Sequence, residues 1–236
     1  MTTILLTRPE GENESLAALL VGHEADIMIR PLIELSAIKV TPEAKQHVMN
    51  IDQQDVVIFV SKSSVRYALP LLENYWPQWP LAPRWLAVGP GTAGALAEFG
   101  IQAAYPRIAG GEGLLELPAL RVVSGGKVLI VRGVGGRELL ARELTRRGAE
   151  VTYLEVYQRS PVAGADWTDI PPGSVAVLTS LEALVNLTSQ LGDDIYQYRV
   201  VVASSRIATE ANGFVQTIIA AGASDQALYD AILGCL

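Results

Sequence analysis

The sequence predicts an α/β fold of two similar lobes with parallel sheets, and three observations support this prediction. Residues 4–32 match residues 128–156 at a constant offset of 124, without a gap. Short β-branched runs alternate with helical stretches, which is typical of parallel strands joined by crossover helices. Two extended segments, near residues 31–40 and 154–161, interrupt this alternation. The lobes are therefore expected to be Rossmann/flavodoxin-like and joined by a two-stranded connector, with a cleft between them.

The strands and helices follow one another along the chain. The predicted strands are residues 4–7, 27–29, 56–61, 85–88, 103–105, 128–131, 151–157, 175–179, 200–203 and, more weakly, 217–219. Helices are predicted over residues 64–73, 92–99, 182–191 and 207–212. Pro42 suits the first turn of a further helix, and Ser224 suits the N-cap of the last one. Gly100, Gly148 and Gly213 each follow a helix, where a left-handed C-cap favours glycine.

The repeat continues beyond its first segment, less strictly. Residues 55–61 resemble residues 174–180 at an offset of 119, and residues 84–89 resemble residues 199–204 at an offset of 115. Each of these runs ends in a small residue and leads into a helix. Changes in loop length account for the falling offset. The chain therefore contains two copies of one strand–helix unit.

The two extended segments predict how the chain is divided. If the strands before and after each segment belong to different lobes, both segments cross between lobes. The first lobe is then discontinuous, with residues 1–35 and 159–236, and the second lobe comprises residues 36–158. Two crossing strands form a hinge that permits rigid-body closure. The alternative is one continuous sheet.

Composition limits the classes of function. Half of the residues are hydrophobic and 18% are charged, which suits a packed core and argues against disorder. The net charge of −7 argues against nonspecific nucleic-acid binding, which needs a basic surface. No apolar run approaches the ~20 residues of a membrane span, and the N-terminal stretch lacks the pattern of a signal peptide. We therefore expect a cytoplasmic protein with no membrane partner.

Few residues are available for metal or disulfide chemistry. The chain has one cysteine, Cys235, and two histidines, His23 and His47. A single cysteine cannot form an internal disulfide, and neither histidine has a partner at metal-ligand spacing. We therefore expect no metal site, and the histidines do not suit a Ser-His-Asp triad.

The loops after the predicted strands carry the candidate binding residues. Ligands of open parallel sheets bind at the carboxyl ends of the strands, where helix N-termini offer free amide groups to anions. Arginine adds bidentate recognition of carboxylates and phosphates. These loops hold small residues, hydroxyls and cations, namely Arg8, Ser61, Lys62, Ser63, Gly89, Thr92, Arg132, Gly133, Arg137, Thr179, Ser180, Ser204, Ser205 and Arg206. The pattern predicts a ligand with several anionic groups.

Three candidates have structural alternatives. Residues 133–137 read Gly-Val-Gly-Gly-Arg, which lacks the ending of a P-loop and equally suits a tight turn. Arg206 is either a carboxylate ligand or a surface charge in a first helical turn. Tyr157 lies on the returning connector, where both lobes can face it, and a neutral phenol can donate or accept a proton. The alternative for Tyr157 is an ordinary half-buried strand residue.

Several short motifs, in their order and spacing, resemble those of a known family. They are residues 7–9 (Thr-Arg-Pro), 59–65 (FVSKSSV), 87–93 (AVGPGTA), 131–137 (VRGVGGR), 155–159 (EVYQR), 178–180 (LTS) and the C-terminal 222–232. Each motif is permissive, but together they span nearly the whole chain. On these motifs the chain resembles the uroporphyrinogen-III synthases of tetrapyrrole biosynthesis. It departs from them at residues 203–206, where a second Gly-x-x-Thr-Ala turn is common, so that Ser204 or Ser205 is the candidate hydroxyl there.

The resemblance implies an enzyme of porphyrin and heme biosynthesis. Its reaction closes linear hydroxymethylbilane to uroporphyrinogen III, with inversion of the terminal pyrrole ring and loss of water. No cofactor is implied, and the acetate and propionate arms of the substrate are the anionic groups that the loops predict. Tyr157 matches the tyrosine of the family motif and is implied to help the hydroxyl group depart. A transient contact with the preceding pathway enzyme is also implied.

Two other classes of protein share part of this pattern. A non-catalytic two-lobed binding or sensor protein for small anions would explain the repeat and the loops. A nucleotide or nucleotide-sugar enzyme with tandem lobes would need an acidic ribose ligand after the second strand. Glu34 is the candidate for that ligand, but the glycine fingerprint is missing.

Overall fold

The computed structural model describes residues 1–162 and 167–236. The chain divides into two compact units. Met1–Leu35 together with Arg159–Leu236 forms the split unit, and Ser36–Gln158 forms the continuous unit. The structure is α/β with two five-stranded sheets, which confirms the predicted fold class.

Strands and helices alternate along most of the chain. The strands are β1 (Thr2–Leu6), β2 (Ala25–Ile29), β3 (Ile33–Ala37), β4 (Val56–Phe59), β5 (Arg84–Ala87), β6 (Lys127–Gly133), β7 (Glu150–Pro161), β8 (Val175–Leu178), β9 (Arg199–Val202) and β10 (Gln216–Ile219). The helices are α1 (Glu14–Leu20), α2 (Pro42–Met49), α3 (Lys62–Glu73), α4 (Pro90–Glu98), α5 (Gly111–Leu115), α6 (Pro118–Arg121), α7 (Leu139–Arg146), α8 (Leu181–Leu191), α9 (Ser205–Glu210) and α10 (Asp225–Leu233).

The sheet of the split unit has the order β10-β9-β8-β1-β2, with every neighbouring pair parallel. Its central strands are largely apolar and buried. All four residues of β8 are buried, and so are four of the five residues of β1. Parallel strands covered by helices on both faces require such continuous apolar runs.

The second sheet has the order β3-β7-β6-β4-β5. The three pairs from β7 to β5 are parallel. The amide of Ile38 donates to the carbonyl of Val156 at 3.3 Å, and the amide of Val162 donates to the carbonyl of Leu32 at 3.2 Å. As the residue number rises on one strand it falls on the other, so β3 and β7 are antiparallel. Both strands pass from one unit to the other and form the predicted two-stranded connector.

The internal repeat is preserved in the register of the strands. Ile4 pairs with Ile27 in the split unit, and Val128 pairs with Val151 in the continuous unit, so both partners shift by 124. The pair between β1 and β8 and the pair between β6 and β4 also correspond, through the offsets of 124 and 119. The pair between β8 and β9 corresponds in the same way to the pair between β4 and β5. The same pairing pattern has therefore been built twice.

Most predicted elements are confirmed, and one strand is wrong. Residues 103–105 form only an isolated bridge between Leu86 and Ala104, because no second residue of this segment pairs with β5. The helices predicted from 64, 92 and 207 each begin two residues earlier, directly after the N-caps Ser61, Gly89 and Ser204. Gly100, Gly148 and Gly213 have φ values of +77°, +86° and +91°, which confirms their left-handed conformation after a helix.

Candidate active site

The continuous unit places two helix N-termini at the carboxyl edge of its sheet. Ser61 follows β4 and caps α3, and its Oγ accepts a hydrogen bond from the amide of Ser64 at 2.9 Å. The Oγ of Ser64 in turn accepts from the amide of Ser61 at 3.2 Å, which completes a capping box. Gly89 follows β5 and caps α4 without a side chain. The first amides of α4 therefore lack a side-chain acceptor at the N-cap.

Tyr157 lies at the same edge of this sheet. It is in β7, where it pairs with Gly133 at the end of β6. Its Oη lies 3.3 Å from the Oγ of Ser61, and its ring stacks on that of Tyr67 with 5.4 Å between the ring centroids. Only 1% of Tyr157 is exposed. The residue is therefore fully buried rather than half-buried, and its hydroxyl group is directed by a serine at a helix start.

Lys62 brings a cation to the first turn of α4. A Cβ atom added to Gly91 would lie 2.8 Å from Cε and 3.7 Å from Nζ of Lys62, so the lysine side chain passes over this glycine. Lys62 is exposed, whereas Thr92 in the same turn is only 5% exposed. The candidate residues of α3 and α4 are thus brought together as predicted from their places after β4 and β5.

Arg132 binds an acid and contacts an aromatic ring within the continuous unit. Its side chain is 7% exposed, its Nη1 donates to Glu138 at 3.0 Å, and its guanidinium lies 4.6 Å from the ring centroid of Tyr153. The hydroxyl of Tyr153 donates to the second oxygen of Glu138. The bond from Tyr153, followed by the bond from Arg132, lowers the pKa of Glu138. Burial, followed by the bond to Glu138, raises the pKa of Tyr153. The three side chains therefore form an ion pair reinforced by a neutral phenol.

Arg8 has a similar internal partner in the split unit. Its Nη1 donates to Asp225 at 2.5 Å and to the carbonyl of Glu12 at 3.2 Å, and its Nη2 donates to the carbonyl of Ala223 at 2.6 Å. Asp225 is the first residue of α10, where a negative charge also interacts favourably with the helix dipole. Of the four predicted arginine ligands, Arg8 and Arg132 are thus each paired with an acid of their own unit.

The remaining candidates of the split unit lie at two further helix starts. Ser180 follows β8 and Thr179, and its Oγ accepts from the amide of Ala183 at 3.0 Å as the N-cap of α8. Ser204 follows β9 and caps α9, with 3.4 Å from its Oγ to the amide of Ile207. Of the two serines considered at this place, Ser204 is therefore the N-cap, and the exposed Ser205 begins the helix.

The other candidates differ in exposure. Ser63 is buried in α3, with 6% of its surface exposed. Arg137 and Arg206 are exposed, and neither forms an ion pair with a residue in the described ranges 1–162 and 167–236. These two arginines therefore remain accessible cations at the carboxyl ends of β6 and β9.

Sequence reasoning missed four residues that shape the site. Tyr67, Tyr153, Glu138 and Asp225 contact Tyr157, Arg132 or Arg8. Asp225 lies 217 residues from Arg8 along the chain. A contact at this separation leaves no periodic signal in the sequence, so only the folded chain identifies it. Glu138, by contrast, lies six residues from Arg132.

Two further features are absent from residues 1–162 and 167–236. No group of three or more His, Cys, Asp or Glu side chains among the described residues is arranged to hold a metal ion. Among the same residues, no helix has both the length and the apolar character needed to cross a bilayer.

Comparisons with known proteins agree on one family. Residues 14–230 match the family model described as uroporphyrinogen-III synthase HemD. The uroporphyrinogen-III synthase of Salmonella typhimurium is 39% identical over 66% of this chain and 65% of that protein. The enzyme of the same name from Escherichia coli is 33% identical over 98% of this chain and 99% of that protein.

A solved structure supports the fold. The uroporphyrinogen-III synthetase of Helicobacter pylori superposes with a TM-score of 0.65, at 15% identity, over 100% of both chains. At this identity the likeness concerns the fold alone. The sequence matches carry the family assignment: the chain belongs to the uroporphyrinogen-III synthase family, which cyclises hydroxymethylbilane to uroporphyrinogen III.

Proposed function

We propose that this chain itself closes hydroxymethylbilane to uroporphyrinogen III, with inversion of the terminal pyrrole ring and loss of water. The proposal is supported by the family match and, in the structure, by one observation above all. The tyrosine of the family motif, Tyr157, lies at the carboxyl edge of a parallel sheet with its hydroxyl group 3.3 Å from Ser61. Ligands of such sheets bind at this edge.

In the proposed reaction, Tyr157 donates the proton that turns the terminal hydroxyl group into water. The departure of water leaves an azafulvene. The substituted carbon of the last ring forms a bond to this azafulvene and gives a spiro intermediate. The spiro intermediate then fragments and recloses. The proton lost from the reacting pyrrole carbon restores the phenol. Ser61 is the partly exposed partner of the buried phenol, so the leaving group is expected at the N-terminus of α3.

The substrate arms require several carboxylate partners. We propose the amides of the first turns of α3, α4 and α8 for this role, together with the exposed cations Lys62, Arg137 and Arg206. Helix N-termini favour anions through free amides and the helix dipole. The hydroxyls of Ser61, Thr179, Ser180, Ser204 and Ser205 and the backbone of Gly89 supply further donors. Selectivity then comes from holding both ends of a flexible chain in one geometry.

Arg8 and Arg132 are proposed to act indirectly. A guanidinium that already binds a carboxylate of its own unit has fewer donors left for a substrate. We propose that these two residues shape the loops after β1 and β6, so that the neighbouring amides point outward. A role as direct substrate ligands stays a prediction for both residues, and the variant Arg132→Ala tests it for Arg132.

The other classes of function are weaker. The family match does not support the non-catalytic binding or sensor protein considered from the sequence. The enzymes of this family act on a tetrapyrrole substrate. We further propose that this chain makes a transient contact with the preceding pathway enzyme and lies in the cytoplasm. Cofractionation with that enzyme in a cell extract would test both.

An isomer-resolved product assay tests the proposed reaction. Wild-type protein is mixed with hydroxymethylbilane, and the products are oxidised and separated as type I and type III porphyrins. The proposal expects faster consumption than in buffer and predominantly type III product. Unchanged consumption, or type I product alone, would contradict it.

The variant Tyr157→Phe tests the role of the phenol. We expect kcat to fall about tenfold to a hundredfold, because general acid catalysis contributes ~10²–10⁴ and the electron-rich pyrrole itself helps to expel the hydroxyl group. Tyr229→Phe is the matched control, since Tyr229 bonds to His23 in the split unit and should keep full activity. Full activity and an unchanged isomer ratio in Tyr157→Phe would remove Tyr157 from the mechanism.

A further inference from the structure

We propose that Gly133 is a positioning residue for Tyr157, and that its lack of a side chain provides the space that holds the phenol in its reactive place. The inference rests on the proposed function, because it concerns the residue that donates the proton there. Gly133 would then act through Tyr157, whereas the sequence suggested it as a direct substrate ligand.

Gly133 and the ring of Tyr157 lie in close contact. A Cβ atom added to Gly133 would lie 2.6 Å from both Cε2 and Cζ of Tyr157, and 3.1 Å from Cδ2. Carbon atoms in contact normally lie ~3.5–4.0 Å apart. The ring would therefore have to move by about 1 Å. Cζ is the carbon that carries the hydroxyl group, so this movement would displace the group that donates the proton.

The backbone around both residues is held in place by hydrogen bonds. Arg132 pairs with Glu155, and Gly133 pairs with Tyr157, so the register shifts by one residue at this point. The amide of Val134 then donates to the carbonyl of Tyr157 at 2.8 Å. An added side chain therefore acts on the ring, because the main chains on both sides are fixed by hydrogen bonds.

The ring of Tyr157 has little space into which it could move. Tyr157 is 1% exposed, its ring stacks on Tyr67 at an interplanar angle of 26°, and its hydroxyl group contacts Ser61. Close packing makes a buried ring sensitive to the addition of one methyl group. A displaced ring would lose the 3.3 Å contact with Ser61 or the stacking on Tyr67.

The backbone conformation at position 133 does not require glycine. The φ angle of Gly133 is not positive, so other residues can adopt its backbone conformation. In the internal repeat, position 133 corresponds to Pro9, which carries a side chain in the split unit. The position equivalent to Tyr157 is Ile33, just beyond the ungapped match. The pairing of β1 with β2 ends at Leu6 and Ile29, so the contact between Gly133 and Tyr157 has no counterpart among the strand pairs of the split unit.

The loop after Gly133 is held from its other side. A Cβ atom on Gly136 would lie 2.8 Å from Nη2 of Arg132, and the guanidinium is paired with Glu138. Arg132 therefore fills the space under the loop that begins at Gly133. This packing keeps the loop from moving away when a side chain is added at position 133.

The experiment compares Gly133→Ala with Gly94→Ala. Gly94 is an exposed residue of α4 with no atom within 4 Å of an added Cβ, so this control should keep wild-type activity. In Gly133→Ala we expect kcat to fall about tenfold or more with little change in KM, since a 1 Å misplacement can cost ~10²-fold. The fraction of type III product should fall as well, because the uninverted isomer forms without enzyme.

A double-mutant cycle separates positioning from general damage. In the Tyr157→Phe background the hydroxyl group is already absent, so adding Gly133→Ala should lower kcat by less than about twofold. Wild-type kcat and isomer ratio in Gly133→Ala, or an equal loss in both backgrounds, would overturn the proposal. A wild-type protein that makes no type III product overturns the proposed function instead.

A folding assay decides the proposal if Gly133→Ala does not fold, or if the wild type is inactive. The second variant is Gly133→Ala combined with Tyr157→Leu, which replaces the ring by a smaller side chain. Recovery of the thermal transition by the second change supports the view that Gly133 makes room for the ring. If the double variant is no more stable than Gly133→Ala, the contact is not the reason for the glycine and the proposal fails.

Discussion

At the scale of single residues, the two arginines of the internal repeat show how equivalent positions acquire different partners. Arg8 and Arg132 are 124 positions apart, and each follows the first apolar run of its copy. Arg8 pairs with Asp225 at the start of α10, whereas Arg132 pairs with Glu138 just before α7. In both cases the acid lies at a helix start, where the dipole favours negative charge. The repeat therefore preserves the cation and the kind of partner, but not the helix that supplies it.

Replacement of Arg132 by alanine tests whether this residue is structural. We expect Arg132→Ala to lower the free energy of unfolding by about 1–3 kcal/mol, because the hydrogen bond to Glu138 and the packing on Tyr153 are lost. Arg137→Ala is the control, since this exposed neighbour should change stability by less than about 0.5 kcal/mol. Urea unfolding followed by circular dichroism measures both. A stable Arg132→Ala protein with a raised KM would instead show a direct substrate ligand.

At the scale of elements, serine N-caps position most of the candidate site. Ser61 and Ser180 are related by the offset of 119, and each accepts a hydrogen bond from the third amide of its helix. Gly89 and Ser204 are related by the offset of 115, and they also cap corresponding helices. A small or hydroxyl residue between a strand and an apolar helical pattern is a local signal. The helix starts were therefore predictable to within two residues.

The N-cap of α8 allows the contribution of such a cap to the free energy of unfolding to be measured. Ser180→Ala should lower the free energy of unfolding by about 1 kcal/mol, because the amide of Ala183 loses its side-chain acceptor. Ser189→Ala changes an exposed serine within the same helix, where alanine is the better helix former, so stability should rise by up to about 0.5 kcal/mol. Equal effects of the two substitutions on the urea midpoint would contradict the capping role.

At the scale of the whole molecule, the chain consists of one pairing pattern used twice. Corresponding strands occupy corresponding places in the two sheets, and three strand pairs keep the same register. One copy is interrupted by the other, since the split unit begins the chain and resumes after the continuous unit. We propose that these two units are the two domains that the crossing segments predict.

Separate expression of the two units tests this division. We expect Ser36–Gln158 to fold alone with a cooperative thermal transition, because its strands β4 to β7 and their helices bury a core of their own. The split unit can be rebuilt by joining Leu35 to Arg159 through Asn-Gly, since β3 and β7 are antiparallel and these residues lie opposite each other. An unfolded continuous unit beside a folded full chain would show that the division is not one of independent domains.

The candidate site was predictable from the sequence only as a set of loops. Lys62 and Thr92 lie at helix starts after strands, and parallel strands bring these starts to one edge. The burial of Tyr157 and its stacking on Tyr67 were not predictable, because they depend on residues that are distant in sequence. The failed strand at 103–105 has a similar cause, since its apolar pattern met a single bridging partner at Leu86.

The α/β class, the repeat, most strand and helix positions and the residues at strand ends follow from the sequence alone, because hydrophobic periodicity, capping and turn residues are local properties of the chain. The pairing of Arg8 with Asp225, the depth at which Tyr157 is buried and its close contact with Gly133 are evident only in the folded chain. These features depend on which surfaces meet after folding. Side chains that are close in space but far apart in sequence compete for the same volume and the same hydrogen bonds, and only the folded chain settles that competition.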